Sequence, residues 1–276
     1  MEDLFVSLIE RIGYRVSRRG VGAGGLDVIA EFTGIPIKAK APSSCKLLKP
    51  SFSPSGTTAF SLKKRDLLDS DVTELIKYAK ELNEKSNGSK GEQVADIIQK
   101  SITGLVIVTN FTKTEAYLDQ LLSKNVHCWD GRRLLFYSAK AKAIQELSMS
   151  GNVEEYLIKE LPKIAYLKQI ETHEGSHKAN IVVFVDVHEK NFKVSADHIK
   201  TMLLQIYRES LQPIVMYAQS IVSVKLQIHS LGLLDEELVR RAYDEYAVEL
   251  TEHPQVLFDE LIIYEYDSAP WAILFR

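Results

Sequence analysis

The chain has few cysteines, no long hydrophobic run and little excess charge of either sign. Its two cysteines, Cys45 and Cys128, are spaced neither like a disulfide framework nor like zinc ligands. No apolar run approaches the roughly 18 residues of a membrane span. The first residues, Met-Glu-Asp-Leu-Phe, lack the basic and apolar regions of a signal peptide. We therefore expect a cytoplasmic protein that has free thiols and no membrane partner.

The composition is that of a globular chain, and its charge is unevenly distributed. Apolar residues make up 45% and charged residues 26% of the 276 residues, which is enough for one large domain or two ordinary ones. The net charge is −3, but residues 1–65 hold eleven Lys/Arg against five Asp/Glu, which leaves +6 there and −9 in the remainder. A basic first quarter is consistent with local binding of a polyanion such as DNA.

Alternating helical and strand patterns from residue 2 to residue 148 predict one α/β domain over residues 1–150. Residues 41–60 are rich in Pro and Ser and predict a long loop. The other predicted elements of this domain are strands 14–17, 104–110 and 126–129, helices 2–12, 69–82, 92–100 and 139–148, and a helix that starts at Thr112 or Thr114 and ends near Asn125.

Residues 26–40 predict a hairpin that gathers acidic and basic side chains. A glycine-rich stretch precedes it, and a turn at residues 33–34 would join its two strands. Because strand side chains alternate, Asp27 and Glu31 would share one face, and Lys38 and Lys40 would share a face of the returning strand. Such an edge suits metal-assisted phosphodiester chemistry, but the charge pattern alone favours an ordinary surface ion pair.

A second domain is expected over residues 177–276. Residues 151–176 predict a helical segment to about residue 168 and then a polar connection, with the domain boundary in the polar stretch 171–178. The pattern beyond it predicts a small α+β domain close to the ferredoxin-like fold, used for dimerisation or partner binding. Its predicted elements are strands 181–187, 214–229, 257–266 and 271–275, and helices 195–210 and 235–250.

Several short motifs carry a resemblance to a known family. They are the apolar helix with Glu10, then Gly13-Tyr-Arg-Val, Gly25-Leu-Asp-Val-Ile-Ala, Gly104-Leu-Val-Ile-Val-Thr-Asn-Phe-Thr and His127-Cys-Trp-Asp-Gly-Arg-Arg-Leu-Leu. In their order, residues 1 to about 148 resemble the Mrr-like branch of the restriction-endonuclease-like superfamily. The resemblance implies a mixed-sheet nuclease domain that cleaves DNA with Mg²⁺ or Mn²⁺. It assigns Asp27 as a metal ligand, Lys40 as the lysine of the motif and Glu10 as the helix acid that some members use.

One position departs from the family pattern. Lys38 stands where the resemblance implies a second acidic ligand, and a lysine cannot bind Mg²⁺. Glu31 could supply the missing carboxylate, so that Asp27 and Glu31 would hold the metal. Otherwise the domain is an inactive nuclease-fold module that binds nucleic acid or assembles partners. The expected DNA-binding residues are Arg18, Arg19, Lys38, Lys46 and Lys49. A homodimer formed through the C-terminal domain is a further expectation.

Overall fold

The structure is a computed structural model. It describes residues 2–19, 25–33, 56–88, 101–150, 153–158, 161, 164–173, 176–186, 194–218, 222–231, 234–249, 260–266 and 271–275. The chain divides into two compact units, and the described residues up to Ser138 form the first and those from Ala139 the second. No helix in these ranges is long and apolar enough to cross a membrane.

The first unit is built on a five-stranded mixed sheet in the order β1-β2-β3-β4-β5. The first three strands are antiparallel neighbours, whereas β3, β4 and β5 run parallel and are joined by helices. The elements are α1 (Glu2–Arg11), β1 (Tyr14–Arg19), β2 (Val28–Phe32), β3 (Thr57–Lys63), α2 (Asp69–Gly88), β4 (Ile102–Thr109), α3 (Glu115–Ser123), β5 (Val126–Trp129) and α4 (Gly131–Ser150).

Apolar side chains cover both faces of this sheet. On one face, Phe60 of β3 packs edge-on against Phe5 of α1 and Trp129 of β5, with ring centroids 5.3 and 5.5 Å apart. On the other face, Ile29 and Ala59 belong to a buried cluster with residues of α2 and α3. Burial on both faces is what α/β domains with helix crossovers require, and it holds the strand ends in a fixed arrangement.

The second unit contains a six-stranded sheet in the order β11-β10-β9-β8-β7-β6. Strands β8, β9 and β10 run parallel to one another. Apolar side chains on one face of the sheet pack against three helices and form the core of the unit. The elements are β6 (Glu154–Leu157), β7 (Ile164–His173), β8 (Ser176–Val185), α5 (Ala196–Ile206), a π-helical turn (Tyr207–Leu211), α6 (Gln212–Ala218), β9 (Val222–Ser230), α7 (Glu236–Glu249), β10 (Glu260–Glu265) and β11 (Trp271–Phe275).

The two sheets repeat one arrangement of strands and connections. In each, three antiparallel strands are followed by two helix crossovers to parallel strands, and the second sheet adds β11 at its edge. In the first sheet, the parallel pairing of β3 with β4 ends at Lys63 and Thr109. In the second sheet, the parallel pairing of β8 with β9 ends at Val185 and Ser230. Val185 is therefore the topological counterpart of Lys63.

The predicted hairpin of residues 26–40 is wrong in its partner strand. Both edges of β2 are paired, one with β1 and the other with β3. Residues 34–40 themselves lie outside the described part. The returning strand is β3, which the sequence prediction had partly placed in the loop 41–60.

The helix boundaries of the first unit also differ from the prediction. The last helix begins at Gly131 rather than at residue 139, because the carboxylate of Asp130 accepts the backbone N–H of Arg133 and caps the first turn. The helix predicted over residues 69–82 extends to Gly88. The helical stretch predicted over residues 92–100 lies outside the described residues.

The predicted helical connection over residues 151–168 is wrong, because β6 and the start of β7 occupy it. The polar stretch 171–178 is not a linker between domains, since His173 and Ser176 pair across the end of the β7–β8 hairpin. The helix predicted over residues 195–210 continues through the π-helical turn to Ala218, so the strand predicted over residues 214–229 begins at Val222.

The described topology confirms the α/β class but contradicts the ferredoxin-like prediction for the second unit. A ferredoxin-like domain is a split βαβ arrangement, in which another strand lies between the two parallel ones. Here β8, β9 and β10 are direct parallel neighbours. Because a helical connection joins each of these strands to its direct neighbour, the sheet has three parallel strands at its centre and antiparallel strands at its edges.

Candidate nucleic-acid interface

One edge of the first sheet collects the strand ends and the helix starts. Because β3, β4 and β5 are parallel, their carboxyl ends lie together, and α2, α3 and α4 begin directly after them. The antiparallel pairing of β2 with β3 brings Asp27, just before β2, to the same edge. We call this region the carboxyl edge. Helix N-termini and carboxyl ends of parallel strands are the usual site of ligand binding in α/β sheets.

Asp27 is held at the carboxyl edge by two hydrogen bonds to β3. Its backbone N–H donates to Phe60 O at 2.9 Å, and its Oδ2 accepts the backbone N–H of Leu62 at 2.6 Å. The pairing of Val28 with Phe60 places Asp27 opposite Ser61. The carboxylate of Asp27 is thus engaged with β3 and serves as a backbone cap.

Ser61 and Lys63 share the face of β3 on which Asp27 lies. Ser61 is fully buried, and its Oγ has no hydrogen-bond partner among the described residues. The spacing Ser61-Leu-Lys63 matches the spacing of acid and lysine that the family resemblance implies, with serine in place of the acid. The sequence reasoning missed this strand, although Thr57-Thr-Ala-Phe-Ser-Leu-Lys63 combines β-branched and aromatic residues with a terminal lysine.

Asp71, in the first turn of α2, is the anionic partner of two cations at the end of β3. Its carboxylate accepts two hydrogen bonds of 2.8 Å from Arg65 and lies 3.3 Å from Lys63 Nζ. Burial raises the pKa of Asp71, but the hydrogen bonds from Arg65 and from the Leu68 amide outweigh it, so the pKa lies below its ordinary value. The same hydrogen bonds raise the pKa of Arg65. Both groups stay charged at neutral pH.

The connection between β3 and α2 is tied to the connection between β4 and α3. Thr109 Oγ1 donates to Arg65 O at 3.2 Å, and the ammonium of Lys113 forms an ion pair with Asp66. Lys113 Nζ also lies 5.3 Å from the ring centroid of Tyr117, within cation–π range. These contacts fix two neighbouring loops of the carboxyl edge with respect to each other.

Asp130, directly after β5, binds the groups at the carboxyl end of that strand. It is fully buried and accepts hydrogen bonds from Arg132 Nε at 3.1 Å and from the backbone N–H of Lys113 at 3.1 Å. Arg133 Nη1 lies 3.4 Å from the other carboxylate oxygen. Next to it, a Cβ on Gly131 would lie 2.6 Å from Asn110 O, so glycine is needed for this close approach. The start of α4 is therefore locked against the end of β4.

The described geometry brings only some of the predicted site residues to the carboxyl edge. Arg18 and Arg19 pair with Ile29 and Val28, so their backbones reach it. Lys38, Lys40, Lys46 and Lys49 lie outside the described residues.

Two of the predicted acids lie elsewhere. Glu31 pairs with Thr57 at the far end of β2, about 13 Å from Asp27 along the strand. Mg²⁺ holds its ligands at about 2.1 Å, so this backbone separation does not favour one ion shared by Asp27 and Glu31. Glu10 is one turn from Gly13, whose carbonyl accepts the N–H of Thr33 beyond that same far end. The metal-binding and catalytic roles of Asp27, Glu31 and Glu10 stay predictions.

The described side chains do not fit a Mg²⁺ or Mn²⁺ centre. No group of three His, Cys, Asp or Glu side chains that could hold a metal ion occurs within the described ranges. Asp27 binds a backbone amide, and Asp71 is neutralised by Lys63 and Arg65. Hard divalent cations need several free oxygen ligands, and the described part of the carboxyl edge does not present them.

Comparisons with known proteins add little to this picture. No family model and no curated protein matches the chain. Among solved structures, the chain is similar to the crystal structure of the central domain of yeast acetyl-CoA carboxylase, with 11% identity and a TM-score of 0.31. The match covers 95% of this chain but 46% of that one, so the chain spans about half of its length. A likeness of this size supports no conclusion about fold or function.

Proposed function

We propose that the first unit binds DNA at the carboxyl edge and does not hydrolyse it. The observation that carries the proposal is the run Lys63-Lys64-Arg65 at the end of β3, where three helix N-termini also point. Lys64 is exposed, and Arg65 exposes half of its side chain while it binds Asp71. Cations and helix N-termini at one edge form a surface that attracts phosphate groups.

A comparison with the second unit shows that the strand arrangement does not by itself require cations at this strand end. Its sheet has the same order and directions of strands, yet Val185 occupies the position of Lys63 and Asp186 follows where the first unit has Lys64. The shared topology is therefore compatible with an apolar and acidic strand end. Lys63 and Arg65 pair with Asp71, so Lys64 is the cation of this run for which phosphate binding is the simpler reason.

Two further features favour binding over hydrolysis. Lys38 stands where the resemblance implies the second acid, and Oδ2 of Asp27 accepts the Leu62 amide. Exposed Lys64 lies in a first quarter of the chain whose net charge is +6. This supports the inactive nuclease-fold alternative rather than Mg²⁺-dependent cleavage.

Binding is tested by fluorescence anisotropy with labelled single-stranded and duplex DNA of about 20 nucleotides. Affinity should fall steeply between about 50 and 200 mM salt. Replacing Lys64 by Gln should weaken binding and lower the salt slope by about 1, because one phosphate contact is lost. Lys124→Gln is the matched control, because Lys124 is an exposed lysine at the opposite end of α3. Equal effects of the two variants, or binding that salt does not change, would refute the proposal.

Hydrolysis is tested by incubating the full chain with plasmid in Mg²⁺ and in Mn²⁺. We expect no nicking above that of the Asp27→Asn variant. Metal-dependent cleavage by the wild type that this variant abolishes would overturn the non-hydrolytic part of the proposal.

A homodimer formed through the second unit stays a prediction, and light scattering of the purified chain measures it.

A further inference from the structure

We propose that the DNA bound at the carboxyl edge is single-stranded and that Phe111 stacks on one of its unpaired bases. This inference rests on the proposed function and specifies its substrate. Phe111 directly follows the turn at the end of β4, and 44% of its side chain is exposed. Leu68, on the neighbouring connection, is 54% exposed. The carboxyl edge thus presents two large apolar side chains beside its cations.

The backbone of Phe111 is fixed although its side chain is exposed. Its N–H donates to Thr109 Oγ1 at 3.2 Å, and its carbonyl accepts the N–H of Gly131 at 3.3 Å. Thr109 is fully buried, and Gly131 is held in close contact with Asn110. An aromatic ring on a fixed backbone loses less conformational entropy on binding than one on a mobile loop. Phe111 is therefore placed as a preorganised platform.

Leu68 is held in a similar way. Its N–H donates to Asp71 Oδ2 at 2.9 Å, and its carbonyl accepts the N–H of Asp71 at 3.0 Å. The connections that carry Leu68 and Phe111 are joined by the Thr109–Arg65 hydrogen bond and the Lys113–Asp66 ion pair. Both apolar side chains consequently belong to one rigid part of the carboxyl edge.

Cations next to an exposed aromatic ring favour single-stranded DNA over duplex DNA. Nonspecific single-strand binding pairs a cationic surface for the backbone with aromatic rings that stack on bases. Lys64 and Arg65 lie on the connection joined to that of Phe111, so cations and ring can engage one strand. In a duplex the bases are already stacked, and inserting a ring between them would cost about a few kcal/mol of unstacking.

The test compares three labelled DNAs of about 20 nucleotides: a thymidine oligomer, the same oligomer with abasic sites throughout, and a blunt duplex. Phe111→Ala should weaken binding to the thymidine oligomer by about 5-fold to 100-fold. The same variant should bind the abasic oligomer and the duplex as the wild type does. Phe111→Trp, which keeps an aromatic ring, should retain the affinity for the thymidine oligomer.

Leu122→Ala serves as the control, since Leu122 is 38% exposed near the opposite end of α3, and it should change no affinity. Salt-dependent DNA binding that Phe111→Ala leaves unchanged, or weakens equally for normal and abasic oligomers, would overturn the stacking inference and leave the proposed function intact. Absence of binding to all three DNAs would instead refute the proposed function.

Discussion

The carboxylate of Asp27 caps the backbone N–H of Leu62 at a distance of 2.6 Å. This contact joins the residue before β2 to the end of β3. Asp27 therefore has a structural role in the described chain, and its replacement should change stability.

Asp27→Ala should lower the free energy of unfolding by about 1–3 kcal/mol, because the Leu62 amide loses its acceptor. Asp27→Asn keeps an oxygen in the same place and should cost less than the alanine variant. Urea denaturation followed by circular dichroism measures both, with the slope m serving as a check on two-state behaviour. An alanine variant as stable as the wild type would show that the hydrogen bond contributes nothing.

Asp71→Asn should destabilise the first unit by about 2 kcal/mol, since the buried carboxylate loses its charge-assisted hydrogen bonds with Arg65 and its ion pair with Lys63. Asp69→Asn, an exposed position in the same helical turn, is the control and should have a smaller effect. Chemical denaturation at neutral pH measures the difference.

The contribution of Asp71 should depend on pH in a defined direction. Because its pKa is lower in the folded chain than in the unfolded chain, its stabilisation is complete above about pH 4. It should be lost as the pH falls from there through the folded pKa. The wild type and Asp71→Asn should then converge in stability, and a constant difference down to the acid-unfolded range would contradict this account.

Asp130→Ala should cost about 3–5 kcal/mol, because it leaves the buried guanidinium of Arg133 without its carboxylate and removes the cap of α4. Asp130→Asn keeps the capping oxygen but not the charge, and its cost should lie between those of the wild type and the alanine variant. Thermal unfolding followed by circular dichroism ranks the three chains. A loss below about 1 kcal/mol for the alanine variant would refute the role of the pair.

Local sequence patterns predicted most elements of the first unit, because their signals are contained within a few residues. Helix α1 follows its apolar spacing and ends before Gly13, and β5 matches the predicted strand 126–129. Thr114, one of the two helix starts that the pattern predicts, caps α3 through a hydrogen bond from the Tyr117 amide. Signals of this kind need no tertiary information.

The errors arose where a pairing or a contact joins distant residues. β2 pairs with β3 across residues 33–56, so the assumption of a tight hairpin led to the wrong partner strand for β2. The role of Asp71 depends on Lys63 and Arg65 at the end of β3. Asp130 pairs with its neighbours Arg132 and Arg133, but it also accepts the backbone N–H of Lys113 from the preceding connection, which local patterns do not predict. The helix that continues to Ala218 passes Pro213 by way of the π-helical turn, a local irregularity that periodicity does not predict.

His229 is the buried imidazole of the second sheet. Its ring lies stacked between Phe184 and Tyr264, with centroids 5.2 and 4.5 Å away, and its Nδ1 is 2.8 Å from the hydroxyl of Tyr266. Its Nε2 has no hydrogen-bond partner among the described residues. Burial lowers the pKa of His229 to about 4, so the ring is neutral at pH 7.

This burial predicts a loss of stability in mild acid. Between the unfolded pKa of about 6.5 and the folded pKa of about 4, the unfolded chain binds a proton that the folded chain rejects, so the free energy of unfolding falls as the pH falls. It should be about 2 kcal/mol lower at pH 5 than at pH 7 because of this residue. His229→Gln should remove that part of the pH dependence, whereas His177→Gln, at a partly exposed site in β8, should retain it. Denaturant unfolding of the three chains at both pH values measures the difference, and an unchanged pH dependence in His229→Gln would mean that the buried imidazole does not destabilise the fold in acid.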